Sequence, residues 1–344
     1  MKIVLCSTYV PFVKGGARQI VEWLEAMLRA DGHLVEIVYL PESDDPATLY
    51  RQMMAFRWID LDDADLVICF RPQAHMIRHR NKVLWFIHHV RIFYDLWDTD
   101  YRGFPDDARH RATRDLIRAT DTTAIDAARR VFTNSGVVGE RLRRFNGIDS
   151  EVLYPPIFRP ERFSCSGFDD EVLYVARVEH HKRQHLLVEA FRHTTTPVRL
   201  RLAGSSSNEA YTTLLRSMIA DWNLHDKVTF DDCWISEDEK AALMSTCLAV
   251  AYLPMDEDSY GYPTLEAAHS SKPVLTTTDS GGVPEFVIDG VNGRVVDPTP
   301  EALACALDEL HRDRHRTATM GVAALARIDD LGITWANVLE KLLA

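Results

Sequence analysis

The chain of 344 residues is 46% hydrophobic and 26% charged, with 39 basic against 51 acidic side chains and a formal net charge of −12. That length suits two domains of about 100–200 residues, and the composition excludes a disordered tail, a collagen-like repeat and a disulfide-stapled miniprotein. No apolar run approaches the ~18 residues of a membrane-spanning helix, the amino-terminal run is too short for a signal peptide, and so acidic a chain is a poor binder of nucleic acid.

Taken in order, short apolar runs alternate with longer amphipathic stretches, as in parallel sheets with crossover helices. Residues 2–7 predict a strand. Residues 17–30 predict a helix with Ile20, Val21, Leu24, Met27 and Leu28 on one face. Strands follow at 34–40, 66–70, 83–87 and 131–133, then a helix at 137–145 and a strand at 151–154 that ends at Pro155-Pro156. A second series has strands at 172–176, 198–203, 228–230, 248–253 and 273–277, again separated by helical patterns. The pattern predicts an α/β chain of two doubly wound, Rossmann-like halves facing across a cleft. The predicted bounds are 1–158 and 159–331, followed by a helical tail, 332–344.

Charge is uneven along the chain. Residues 1–158 carry a net −1 and residues 159–344 a net −11, while 71–144 carry a net +6. The basic excess suits an anionic membrane face or a phosphorylated acceptor; interleaved aspartates leave a solvated helix face as the alternative. Cys6, Cys69, Cys165, Cys233, Cys247 and Cys305 form no C-x-x-C pair, and the expectation is buried thiols in a reducing cytoplasm, with no metal site.

In open α/β sheets ligands bind at the carboxyl ends of the strands, so the residues after each strand are the candidates. After the first strand, Val13-Lys14-Gly15-Gly16 opens a helix whose N-terminus favours negative charge. It matches neither G-x-G-x-x-G nor a P-loop. His88 and His89 follow the 83–87 strand. Arg177 and Lys182 follow the 172–176 strand, a pair suited to a diphosphate. His181 and His185 share an i,i+4 spacing without the acidic partner of a metal motif. The 248–253 strand leads into Met255-Asp256-Glu257-Asp258-Ser259-Tyr260-Gly261-Tyr262-Pro263-Thr264-Leu265-Glu266. Pro263 marks a helix start. That helix N-terminus can bind phosphate, with Asp258 before it and Glu266 one turn inside. Phe93, Tyr94 and Trp97 follow the histidines, with aromatic core filling as the alternative to a binding role.

Together these residues resemble a family. The order of Gly15-Gly16, Asn134-Ser135, Tyr154-Pro155-Pro156, Arg177…Lys182, Asp258…Glu266, Gly281-Gly282-Val283-Pro284-Glu285 and Asp289-Gly290-Val291-Asn292-Gly293 is similar to that of the retaining glycosyltransferases of family GT4, with the GT-B fold. The resemblance spans the whole chain and implies an acceptor-side domain over 1–158, where Phe93, Tyr94 and Trp97 could stack on an acceptor's sugar faces, a donor-side domain over 159–331, and a tail, 332–344, crossing back to the first. It implies that Arg177 and Lys182 neutralise a nucleoside-diphosphate sugar's diphosphate. Asp258 would lie near the donor sugar and Glu266 near the ribose, as the family's Glu-x7-Glu pair. His88 would sit near the reacting carbon, and Gly15 and Gly16 near the diphosphate or sugar. Gly204, Ser259, Tyr260, Gly261, Tyr262, Pro263 and Thr264 would complete the donor site. Three departures stand out: Asp258 replaces a glutamate, with Glu257 beside it as the alternative; Gly204-Ser205-Ser206-Ser207 replaces a more glycine-rich loop; and His88-His89 replaces His-Asp.

The resemblance implies metal-independent transfer of a hexose, with retention, to a hydroxyl of a glycan, lipid-linked or small-molecule acceptor, as in polysaccharide synthesis. No cofactor is expected. Tyr154-Pro155-Pro156 is similar to mannosyltransferases of the family and favours GDP-mannose over UDP-glucose. The expected location is the cytoplasm, with peripheral contact to the membrane through 71–144. A catalytically silent sugar-nucleotide-binding subunit and a nucleotide-sugar 2-epimerase are the alternatives.

Overall fold

A computed structural model describes residues 1–12, 15–42, 45–206 and 208–344. Val13, Lys14 and Ser207, which the sequence places in the two loops above, lie outside the described residues. The chain divides into two compact units, Met1–Pro155 with Thr334–Ala344, and Pro156–Ile333.

Unit 1 is built on six parallel strands, β1 (Lys2–Tyr9), β2 (Leu34–Pro41), β3 (Leu66–Cys69), β4 (Lys82–Phe86), β5 (Arg130–Thr133) and β6 (Glu151–Val152), in the order β2-β1-β3-β4-β5-β6. The register Ile3↔Leu66, Val4↔Val67 and Cys6↔Cys69 aligns side chains of like direction. Strand side chains alternate between faces. Val4, Cys6, Val67, Cys69, Leu84 and Phe86 therefore form one core, and Ile3, Leu5, Leu66, Ile68, Val83 and Trp85 the other. Both faces are covered, which is why these strands read as continuous apolar runs.

Helix α1 (Gly16–Ala30) covers the second face with Ile20, Val21, Leu24 and Leu28. Helices α2 (Pro46–Arg57), α3 (Ala108–Asp126) and α4 (Gly136–Asn146) cover the first. The tail helix, numbered α12 in chain order (Trp335–Leu343), sets Val338 and Leu342 beside α1. Its carbonyls accept from Arg129 and Arg130.

Unit 2 repeats the plan. Strands β7 (Glu171–Val175), β8 (Arg199–Ala203), β9 (Val228–Asp231), β10 (Ala249–Ala251), β11 (Val274–Thr277) and β12 (Gly293–Val296) are ordered β12-β11-β10-β7-β8-β9. Half-buried and opened by a glycine, β12 gives no strand signal in the sequence. The helices are α5 (Gln184–Ala190), α6 (Glu209–Asp221), α7 (Glu237–Thr246), α8 (Tyr262–His269), α9 (Val283–Phe286), α10 (Pro300–Arg312) and α11 (Arg314–Asp330).

Strand order reverses between β1 and β3 in unit 1 and between β7 and β10 in unit 2. Such switch points are where crossovers part to opposite sides and leave a crevice at the strand ends. Among the described residues no helix is long and apolar enough to cross a membrane. The expectation of buried thiols holds for Cys6, Cys69 and Cys247, whereas Cys165, Cys233 and Cys305 are exposed because they sit in loops or on a helix's outer face.

Candidate active site

At the unit 2 switch point, the turn after β7 carries Arg177 and Lys182, and the loop after β10 carries Glu257 and Asp258. Lys182 is buried, and its ammonium donates to the Tyr252 hydroxyl at 3.0 Å and to the Glu257 carboxylate. Tyr252 in turn donates to Glu257 at 3.0 Å. Burial pushes the Glu257 carboxyl up, but the Lys182 charge and the hydrogen bonds from Lys182 and Tyr252 outweigh it and hold the group below its ordinary range. The carboxylate that meets Lys182 is thus Glu257; Asp258 lies one position beyond, half-buried. Arg177 is half exposed and bonds Glu179 at 2.6 Å.

Neighbouring residues brace this loop. Arg183 has φ +56 and spreads its guanidinium over the Leu253 carbonyl (2.7 Å), the Pro254 carbonyl (3.0 Å), Thr277 (2.7 Å) and both oxygens of Asp279 (2.7 and 2.8 Å). The backbone of Gly282 donates to the Glu257 carbonyl at 2.9 Å. The glycine-rich turn after β11 therefore holds the acidic loop after β10. Neither Arg183 nor Asp279 carries a motif that flags it in the sequence.

Pro263 stands in the first turn of α8, as its position predicts. The Glu266 carboxylate is buried and bonds Lys240 of α7 at 2.5 Å. Burial raises this carboxyl, and Lys240 only partly offsets it. Lys240 escaped sequence reasoning because its partner lies 26 residues away, with β10 between. Gly261 and Tyr262 form the turn into α8, next to Ser259.

Three residues of the expected donor site, Tyr260, Thr264 and Gly204, serve packing. Tyr260 is buried against Phe286, and Thr264 is buried with its hydroxyl on the Tyr260 carbonyl, so both side chains hold the turn instead of facing a ligand. Gly204 also serves packing, because a Cβ there would fall 1.9 Å from the Ala176 carbonyl oxygen. The two histidines of the i,i+4 pair take separate partners, His185 the Tyr211 hydroxyl at 2.9 Å and His181 the Glu179 carboxylate at 3.3 Å.

In unit 1, Gly15 is the N-cap of α1 and Gly16 its first residue. His88 follows β4, and its Nδ1 donates to the His89 carbonyl at 2.7 Å. A carbonyl only accepts, so Nδ1 carries the proton and Nε2 the lone pair. Burial and the nearby Arg71 charge push His88 down to about 4, so the ring is neutral at neutral pH. Arg71, after β3, pairs with Glu42 at 2.7 Å, and Thr8 at the end of β1 donates to the same carboxylate at 2.8 Å. The rule that found His88 also finds Arg71, the second residue after β3.

The acceptor expectation is corrected. Phe93, Tyr94 and Trp97 are buried in the unit 1 core, so their rings are not available to stack on a sugar. The Tyr94 hydroxyl donates to Asp121 at 2.7 Å, and the same aspartate bonds His75 at 2.8 Å. The basic stretch braces these rings from outside: Arg114 lies over Trp97 at 4.4 Å and Arg118 over Tyr94 at 5.2 Å, while Arg111 pairs with Asp106 at 2.6 Å.

Comparison with known proteins bears on this geometry. Residues 166–327, which lie within unit 2, match the family model of glycosyl transferases group 1. The alpha-1,3/1,6-mannosyltransferase ALG2 of Homo sapiens is 28% identical over 309 residues, covering 82% of this chain and 72% of that protein. The GDP-mannose-dependent alpha-(1-6)-phosphatidylinositol monomannoside mannosyltransferase of Mycolicibacterium smegmatis is 30% identical over 189 residues, covering 52% of this chain and 48% of that one. Among solved structures, Anabaena HepE in complex with UDP superposes with a TM-score of 0.74 at 19% identity, covering 99% of each chain. The sucrose-phosphate synthase of Thermosynechococcus elongatus gives a TM-score of 0.77 at 17% identity, covering 98% of this chain and 97% of that one. These two likenesses show the fold, GT-B. With the group 1 domain of residues 166–327 spanning the Lys182, Glu257 and Glu266 positions, the chain is a glycosyltransferase that uses a nucleotide sugar.

Proposed function

We propose that this glycosyltransferase moves a hexose from a nucleoside-diphosphate sugar to a hydroxyl of a glycan or lipid-linked acceptor, retaining anomeric configuration and working without a bound metal. The observation that carries the donor assignment is the buried Lys182 held by Tyr252 and Glu257 at the unit 2 switch point, with Arg177 beside it in the same turn. When the anomeric carbon–oxygen bond breaks, its electron pair goes to the diphosphate. Fixed cations stabilise that growing charge, each such group contributing about 2.7–4 kcal/mol. The acceptor oxygen then bonds the carbon on the same face, and its proton passes to the leaving phosphate. In this reading Glu257, or Asp258 next to it, serves the donor sugar and Glu266 serves the ribose. His88, with its neutral ring, lies near the reacting carbon.

GDP-mannose is the favoured donor, with UDP-glucose second. The mannosyltransferases among the relatives, one named as GDP-mannose-dependent, support that order. The proposed location is the cytoplasm, with residues 71–144 in loose contact with an anionic membrane face. The supporting feature is their net +6 in a chain of net −12. Loss of vesicle binding in Arg109→Glu/Arg111→Glu is the expected result; unchanged binding would refute the electrostatic part.

The first test is a thermal-shift screen against GDP, UDP, ADP, dTDP and their common sugars, with magnesium and with EDTA. At 100 times the dissociation constant the stabilisation is about 2.7 kcal/mol. One nucleotide standing out in both buffers is expected. Arg177→Ala should then lower kcat sharply, and wild-type turnover in that variant would sink the diphosphate role.

A further inference from the structure

Tyr252, the residue just after β10, touches three parts of the donor site at once. Its hydroxyl accepts from Lys182 at 3.0 Å and donates to Glu257 at 3.0 Å. The Lys182 ammonium lies 5.2 Å from its ring centroid. Its ring edge also fills the space beside Gly261, where φ is +72 and a Cβ would fall 2.2 Å from a ring carbon. The side chain is buried and its backbone is locked on both sides, donating to the Leu275 carbonyl at 3.0 Å and accepting from Thr276 at 2.8 Å.

We infer that Tyr252 is the positioning residue of the donor site: its hydroxyl aims the Lys182 ammonium and holds Glu257, and its ring sets the turn that starts α8. An ammonium has three N–H groups. Tyr252 and Glu257 take two of them, which leaves one to face a phosphate oxygen. Burial raises the Tyr252 hydroxyl well above its ordinary range, so it stays protonated and donates to Glu257 at every working pH. Without that donor, a Lys182–Glu257 pair alone is free to rotate about a single contact.

This inference rests on the proposed donor chemistry, and the test separates the two. The groups facing Glu257 are Lys182 and His181 from the turn after β7 and Tyr252 from the end of β10, with Asp258 next in its own loop. Tyr252→Phe keeps the ring and removes only the hydroxyl. With GDP-mannose and UDP-glucose as probes, donor affinity is expected to weaken about threefold or less, while the kcat of donor turnover falls at least 30-fold. The acid limb of the kcat profile should move to higher pH, because Glu257 loses a hydrogen bond that favours its charged form. Gly261→Ala, which displaces the ring, is expected to lower kcat without moving that limb as far. A Tyr252→Phe enzyme with wild-type kcat and an unmoved acid limb overturns the positioning role. If the wild-type protein neither binds nor turns over either probe, the donor reading itself falls, and this inference with it.

Discussion

The two units share a plan, yet their candidate residues fare differently. In unit 2, Lys182 after β7 and Glu257 after β10 meet in one cluster with Tyr252, while Arg177 pairs with Glu179. In unit 1 the polar candidate, His88, stays at its strand end, while the aromatic candidates Phe93, Tyr94 and Trp97 sink into the core. The difference lies in what each side chain costs to bury. A cation or carboxylate at a strand end must find a partner or a ligand, so charge after a strand points to a site. An aromatic ring gains by burial wherever it falls, so rings after a strand carry no such information.

The largest effect that tests this contrast lies in unit 1. Phe93→Ala is expected to cost about 3–5 kcal/mol of stability, because Phe93 is fully buried against Trp97 and Phe104. Chemical denaturation checks it. A stable Phe93→Ala protein with a raised acceptor KM would return the ring to the acceptor site. In unit 2, Lys182→Ala is expected to lower kcat about 10²–10³-fold. A variant that kept its turnover would break the claim that unit 2 holds the charge-stabilising cation.

The layering of the chain was legible because both sheets are covered on both faces. Their strands read as apolar runs, and the helix seam of α1 reads at 3.6 spacing. On the proposed donor side, Lys182 lies in the turn after β7, where the strand-end rule points, and it bonds Glu257, the neighbour of Asp258. Glu257 against Asp258 was not decidable, because adjacent residues in an irregular loop have no fixed facing. Arg183, Asp279 and Lys240 were invisible for another reason. Their partners lie 96 residues away for the Arg183–Asp279 pair and 26 for Lys240–Glu266, and no local period encodes such distances. The burial of Trp97 under Arg114 is likewise a long-range fact that composition cannot hold.

Acidification tests the buried histidines of both units. His89 of unit 1 is buried, and burial pushes it down to about 4 although Asn146 accepts from its ring at 2.8 Å. Its folded value lies below the ordinary ~6.5. Between those values the unfolded chain binds a proton that the folded chain refuses. Stability is therefore full above about 6.5 and falls as pH drops towards 4, by about 3 kcal/mol for a shift of this size. Glu257 of unit 2 is depressed, so its contribution is lost only below the ordinary carboxylate range. His88 of unit 1 and His185 of unit 2 are pushed down to about 4 by burial as well, so urea unfolding at pH 7, 5.5 and 4 should show the histidine loss first, and His89→Gln should make it shallower. An equal slope in the variant would remove His89 as the cause.

The smallest effect sharpens the comparison most, because it asks which of two adjacent carboxylates the donor site uses. Glu257 bonds both Lys182 and Tyr252, whereas Asp258 is half-buried one residue on. Glu257→Gln keeps the shape but removes the charge that balances a buried ammonium. Asp258→Asn leaves the Glu257 charge in place against that ammonium. We expect Glu257→Gln to lower kcat about tenfold more than Asp258→Asn, a difference of about 1.4 kcal/mol. Steady-state turnover of GDP-mannose or UDP-glucose by the two variants measures it. The reverse order would mean that the family's acidic pair begins at Asp258, and that Glu257 serves mainly to neutralise Lys182 until the diphosphate arrives.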